Sequence, residues 1–133
     1  MWPRMNELRT LGLGTPGDMR TELNSLVLEG TKTATAGLLA EYTREAEELE
    51  SVGERLALVD DDGAPVGVVE VTAVSVARFG QVPWEFADAE GEGFTSIEHW
   101  RDVHARFWSD NGVDVDDDTE IVCVHFVLTS SQP

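Results

Sequence analysis

The sequence predicts an α+β fold, a small curled β-barrel of mixed or antiparallel strands with flanking helices. Three observations predict it. The predicted elements run helix, helix, strand, strand, helix, strand. The two adjacent strand segments are joined by DDGAP, a hairpin-type turn, which favours an antiparallel or mixed sheet over a doubly wound one. The second of these segments, PVGVVEVTAVSVARF, is rich in β-branched residues and too long for an unbent edge strand, so a bulge or strong curl is expected within it.

Residues 1–14 carry few structural signals and are expected to be an irregular lead-in. Residues 15–133 are expected to form one domain around a single core, as suits a chain of 133 residues. The first helix is expected over TPGDMRTELNSLVLEG. Thr15 is its candidate N-cap, Pro16 fits the first turn, Asp18 favours the dipole and Gly30 fits the position after the C-cap. Met19, Leu23, Leu26 and Val27 fall on one face. After TKTAT, the stretch AGLLAEYTREAEELE is read as a second helix, broken by Ser51-Val52-Gly53. ERLALVD is a strand, with Gly63 supplying a positive φ in the turn that follows. QVPWEFADAEGEG is read as short helix and loop. The next helix is expected to open on a capping box of Thr95 and Glu98, with Trp100, Val103, His104, Phe107 and Trp108 at helical spacing. The last strand, TEIVCVHFVLT, is apolar on both faces and therefore expected to be central.

Charge sets the function classes. Acidic side chains number 26 against 9 basic ones, for a net charge of −17 and a pI near 4.2. Such a field repels a polyanion, which argues against tight, backbone-driven binding of long nucleic acid. A small, nearly neutral ligand escapes that penalty. The hydrophobic fraction of 41% is enough to fold. The lone Cys123 excludes an intrachain disulfide framework. No signal-peptide core and no stretch of membrane-spanning length is found, so a cytoplasmic location without membrane partners is expected.

Among candidate chemical groups, Lys32 stands out as the only lysine, inside EGTKTAT; every other basic residue is arginine. Lys32 and Thr35 would point to opposite faces of a strand, but converge at a helix entrance or tight turn. The flanking helices favour convergence, with Thr35 near a helix N-terminus whose N–H groups suit a developing oxyanion. A threonine hydroxyl needs a base to become a nucleophile. A lysine can release its proton for that purpose and arginine cannot. The plain alternative is that Thr35 or Thr33 is an N-cap and Lys32 a solvated loop residue. Glu90 and Glu92 lie in the glycine-flanked ADAEGEG, a loop in which a carboxylate can work as acid or base; the alternative is two more surface charges. His104 is either a core histidine or a ring that stacks on a ligand base. Cys123 and His125 share a strand face without a convincing third ligand, and DVDDD lacks the glycine and terminal glutamate of a calcium loop, so no metal or other cofactor is expected. There is no Walker A, GxGxxG or GxSxG motif.

The order of these motifs resembles the ASCH family, a branch of PUA-like small β-barrels. The carriers are Gly30-Thr31-Lys32-Thr33-Ala34-Thr35, the hairpin VGERLALVDDDGAPVGVVEVTAV, and VARFGQVPWEFADAEGEGFTSIEHWRDVHARFW. The similarity runs from about Leu23 to Leu128. The family is linked to RNA and modified nucleosides. At its catalytic positions the chain is similar to a bacterial branch that hydrolyses the amide of N4-acetylcytidine. The resemblance implies that Lys32 activates Thr35, that Thr35 attacks the acetyl carbonyl, and that Glu90 helps to protonate the leaving amine. Gly30, Glu92, Trp100 and His104 complete the expected substrate-binding set, and a nucleoside-like small molecule is the expected partner. The chain departs from that branch in having Gly37 where the branch has arginine, and in its longer EGEG loop and tryptophan-rich helix, features of a larger branch. The alternative from another class is an RNA-binding or RNA-processing module without amidase activity, which the net charge disfavours.

Overall fold

The computed structural model describes residues 1–131. Six strands form one mixed sheet: β1 Arg4–Met5, β2 Leu8–Leu11, β3 Ala34–Leu38, β4 Arg55–Val59, β5 Pro65–Arg78 and β6 Glu120–Ser131. Their order across the sheet is β1-β2-β4-β5-β6-β3. Four helices complete the fold: α1 Asp18–Leu28, α2 Leu39–Arg44, α3 Trp84–Ala89 and α4 Ile97–Asp110. The α+β class with a curled sheet is as predicted. The sheet, however, does not close into a barrel, because its two terminal strands do not pair with each other. Closure fails for a local reason. β1 is only two residues long, and the outer edge of β3 borders a cavity walled by α4 and the loop after α3.

The curl arises where the sequence suggests it. β5 pairs β4 on one side and β6 on the other, with register shifts at Val68/Val69 and Val71/Ala73. Thr72 is the extra residue of the second shift, and such a bulge bends the strand. β6 lies between β5 and β3 and is apolar on both faces. Val122, Val124 and Phe126 enter a core shared with Leu23 and Val27 of α1 and Tyr42 of α2. Ile121 and Cys123 enter a second core with Phe86 of α3 and Trp100 and Trp108 of α4. The single core expected from the length is thus two cores on opposite faces of one sheet.

The N-terminal lead-in is not irregular. Residues 4–11 form two strands, with β2 parallel to β4. Arg9 on β2 donates to both carboxylate oxygens of Glu54, at 2.8 and 2.7 Å, and to the Glu48 carbonyl at 2.6 Å. These long-range pairings outweigh a weak local strand pattern.

Helix boundaries also differ from the expectation. α1 opens at Asp18 with Gly17 as an uncapped N-cap residue, not at Thr15. Its C-terminus behaves as expected: Gly30 takes φ +82°, its N–H donates to Val27 O, and the Thr31 N–H donates to Leu26 O. That is the Schellman pattern. α4 is capped by Ser96, whose hydroxyl accepts from the His99 N–H at 3.1 Å, rather than by Thr95.

The largest departure is the second helix. Residues 34–38 form β3, paired antiparallel to β6, and only Leu39–Arg44 are helical. Ala34 and Leu38 are buried in the second core, so strand pairing plus burial overrides the helix propensity of ATAGLL. α2 then ends at Glu45 and Ala46, the latter at φ 53°. No helix among the described residues is long and apolar enough to cross a membrane.

Candidate functional site

The Schellman turn directs the chain after α1 across the end of α3. The Lys32 N–H donates to Leu26 O at 3.0 Å, and the Thr33 N–H donates to Ala89 O at 2.8 Å. The Thr33 hydroxyl also donates to Ala89 O, at 3.2 Å. On the opposing chain, Gly91 takes φ +66°, and a Cβ placed there would stand 2.3 Å from Thr31 O and 2.9 Å from Lys32 N. Gly91 therefore serves close approach of one backbone to another. It brings Glu90 and Glu92, on either side of it, against Lys32.

Lys32 is 2% exposed and Glu90 1%. The Lys32 ammonium donates to Glu92 Oε2 at 2.8 Å and lies 3.8 Å from Glu90 Oε1. Glu90 Oε2 accepts from Trp100 Nε1 at 2.6 Å and faces His104 Nε2 at 3.1 Å. Burial pushes the Glu90 carboxyl up and is the largest single influence. The His104 hydrogen bond, the charges of Lys32 and His104, and the Trp100 N–H together outweigh it and hold Glu90 below the usual carboxylate value. Cys123 is a different case. Burial first, then the Glu90 charge, push its thiol up to about 11, so it is no ready nucleophile.

Lys32, Thr35, Glu90, Glu92 and His104 line one cavity of about 70 Å³ at the free edge of β3. Leu13 and Leu23 close it on the α1 side, and Phe107 and Trp108 on the α4 side. A larger groove of about 620 Å³ shares Thr35, Ala36, Phe107 and Trp108 with it. Thr35 thus stands where the small cavity opens into the groove.

The residues singled out in the sequence meet different fates. Lys32 and Thr35 do reach one cavity, but Thr35 sits within β3, paired with Val124, not at a helix N-terminus. The helix-dipole oxyanion site is therefore not built there. Lys32 is an ion-paired buried group, not a solvated loop residue. Glu90 is 58 positions further along the chain than Lys32, and both their side chains are buried together. Trp100, expected to bind substrate, is fully buried and outside the cavity lining, and its indole N–H donates to Glu90. Gly30 also lies outside the lining and ends α1. The His104 ring stacks on Trp100 at 4.2 Å and 22° while lining the cavity. Leu13, Leu23 and Phe107 escaped attention as lining residues, since their apolar character in the sequence marks core equally well. No cluster of three or more metal-ligating side chains occurs among the described residues.

Fold and motif order together define an ASCH domain. The sequence model of that family, described as "ASCH domain", matches residues 11–130, and the chain belongs to the family. Among solved structures, protein EF3133 from Enterococcus faecalis V583 shares 27% identity with a TM-score of 0.83, covering 96% of this chain and 80% of that one. An ASCH domain from Lactobacillus crispatus JV V101 shares 26% identity with a TM-score of 0.78, covering 93% and 82%. A mutant of ZmASCH from Zymomonas mobilis shares the fold at 14% identity and a TM-score of 0.51, covering 80% and 63%. No curated protein sequence matches the chain significantly.

Proposed function

We propose that this ASCH domain is an amidohydrolase that removes a small acyl group from the exocyclic amine of a nucleoside-like substrate such as N4-acetylcytidine. The observation that carries the reading is the convergence of Lys32, Thr35 and Glu90 on one cavity, with the lysine held between two carboxylates. Buried charge of this kind costs stability unless paired, and clusters at functional sites.

The small cavity suits the acyl group and the adjoining groove suits the base and sugar, with Thr35 at their junction. In the resting site Lys32 is an ammonium. Its proton passes to Glu92 Oε2, 2.8 Å away, when substrate closes the cavity to water. The free amine then takes the Thr35 hydroxyl proton as Thr35 Oγ1 adds to the acyl carbon. The amide C–N bond breaks with its electron pair on nitrogen, which is protonated from the Glu90 side of the cavity. Water hydrolyses the resulting threonyl ester, and the Thr35 oxygen recovers its proton from Lys32. A neutral substrate matches a chain of net charge −17, which disfavours the RNA-binding alternative.

The test is release of acetate and cytidine from N4-acetylcytidine by the purified chain, with Thr35→Ala and Lys32→Ala as controls. Turnover that both variants abolish supports the reading. Absence of turnover by the wild type, or wild-type turnover by Thr35→Ala, overturns it.

A further inference from the structure

Hydrogen-bond donors around His104 can be counted. The Nδ1 atom lies 3.0 Å from the Trp100 carbonyl oxygen, which only accepts, so Nδ1 carries a hydrogen. The Nε2 atom lies 3.1 Å from Glu90 Oε2. That oxygen already accepts from Trp100 Nε1 at 2.6 Å. One hydrogen is shared between Nε2 and Oε2, and the Trp100 N–H on that oxygen together with the Lys32 ammonium 3.8 Å from Oε1 favours the carboxylate, which puts that hydrogen on Nε2. We propose that His104 rests in this site as a doubly protonated imidazolium and is the positioning residue that supplies Glu90 with the proton for the departing amine.

Charge balance agrees. With His104 charged, two cations, Lys32 and His104, face two carboxylates, Glu90 and Glu92, and the cluster is neutral as a whole. The groups that face the ring or its partner are few. Glu90 closes α3, Glu92 lies in the loop beyond it, and Lys32 precedes β3. Cys123 on β6 lies near Glu90 and is held as the thiol. Trp100, Trp108 and Phe94 pack around the ring and bring no charge.

The step rests on the amidohydrolase reading. As the C–N bond breaks, nitrogen takes a proton from Glu90, and Glu90 takes the Nε2 proton of His104, which becomes neutral imidazole. In deacylation the attacking water returns a proton through Glu90 to Nε2. Glu92 then returns to Lys32 the proton it took at the start, and every proton is restored after one turnover.

Two experiments on the full chain separate the inference from the reading beneath it. In the first, ring ¹⁵N spectra at pH 7.5 report the state of each histidine, with His104→Gln assigning the His104 signals. Both nitrogens of His104 should read as protonated, and Glu90→Gln should strip one of them at the same pH. A bare ring nitrogen in the wild type overturns the proposal, whether or not the chain hydrolyses amides. In the second, kcat for N4-acetylcytidine is followed against pH. The wild type should lose kcat on the alkaline side. His104→Gln should lower kcat by about 10²- to 10⁴-fold and abolish that limb, with KM little changed. Survival of the limb in a folded His104→Gln protein overturns the proposal. If the wild type turns nothing over, the amidohydrolase reading fails, and the ring spectra alone decide the resting charge of His104.

Discussion

Gly91 packs so tightly on Thr31 that a Cβ at position 91 would stand 2.3 Å from the Thr31 carbonyl oxygen. This contact sets how far Lys32 lies from Glu90, because Lys32 follows Thr31 and Glu90 precedes Gly91. Two short motifs far apart in the chain are fixed against each other by an absent side chain.

Gly91→Ala should therefore cost stability and open the site. Backbone atoms cannot yield as a flexible side chain does, and φ +66° adds strain for any residue with a Cβ. A loss of about 3 kcal/mol or more in a denaturant titration is expected. Gly93→Ala is the control. Gly93 takes φ +85° but nothing lies within 4 Å of the added carbon, so about 1 kcal/mol is expected. Equal losses in the two variants would show that the close approach is not what holds the site.

Lys32→Arg tests why the lone lysine is kept. Arginine keeps the charge but cannot serve as a proton acceptor. Its turnover of N4-acetylcytidine should fall nearly as far as that of Lys32→Ala. The site is closed around a side chain 2% exposed, so the larger guanidinium should also destabilise the fold, by about 1–3 kcal/mol. Activity is therefore to be read well below the melting temperature of the variant. Near-normal turnover by Lys32→Arg would leave charge alone as the role of Lys32.

Glu90 links the site to acid stability. Its folded-state pKa lies below the ordinary glutamate value of 4.5. A depressed carboxyl contributes stability that is fully present above the unfolded value and is lost as pH falls through the folded one. At pH 7 Glu90→Gln should be less stable than wild type by about 3 kcal/mol, since it leaves buried cations short of a partner. That gap should narrow below about pH 4.5. Denaturant midpoints of both proteins between pH 3 and pH 7 measure it. A gap that stays constant over that range would mean that ionised Glu90 is not what stabilises the native site.

The charge balance of −17 predicts weak binding of generic single-stranded RNA. A shift assay at physiological salt should show no sub-micromolar complex. Tight, salt-sensitive binding would return the RNA-binding module to first place.

By itself the sequence determined the α+β class, the ASCH motif order, the hairpin, the bend in β5, the helix through Trp100 and Trp108, and the central place of β6. These are written in local terms: a turn glycine at Gly63, β-branched runs, helical spacing, and a strand apolar on both faces. It also marked Lys32, Thr35 and Glu90 as residues to watch. Tertiary structure decided what local pattern leaves open. Residues 36–38 read as the start of a helix because alanine and leucine favour it, yet β6 offers the whole of residues 34–38 a pairing edge, and Ala34 and Leu38 burial sites, that no window of neighbours reveals. Residues 4–11 are strands because Arg9 finds Glu54 across a fold that must exist first. The sheet stays open because one edge strand is too short and the other borders the cavity. The protonation partners of Glu90 were likewise hidden. That Trp100 and His104 share a helix face is visible in their spacing, but only packing against α3 turns an indole N–H and an imidazole toward one buried carboxylate.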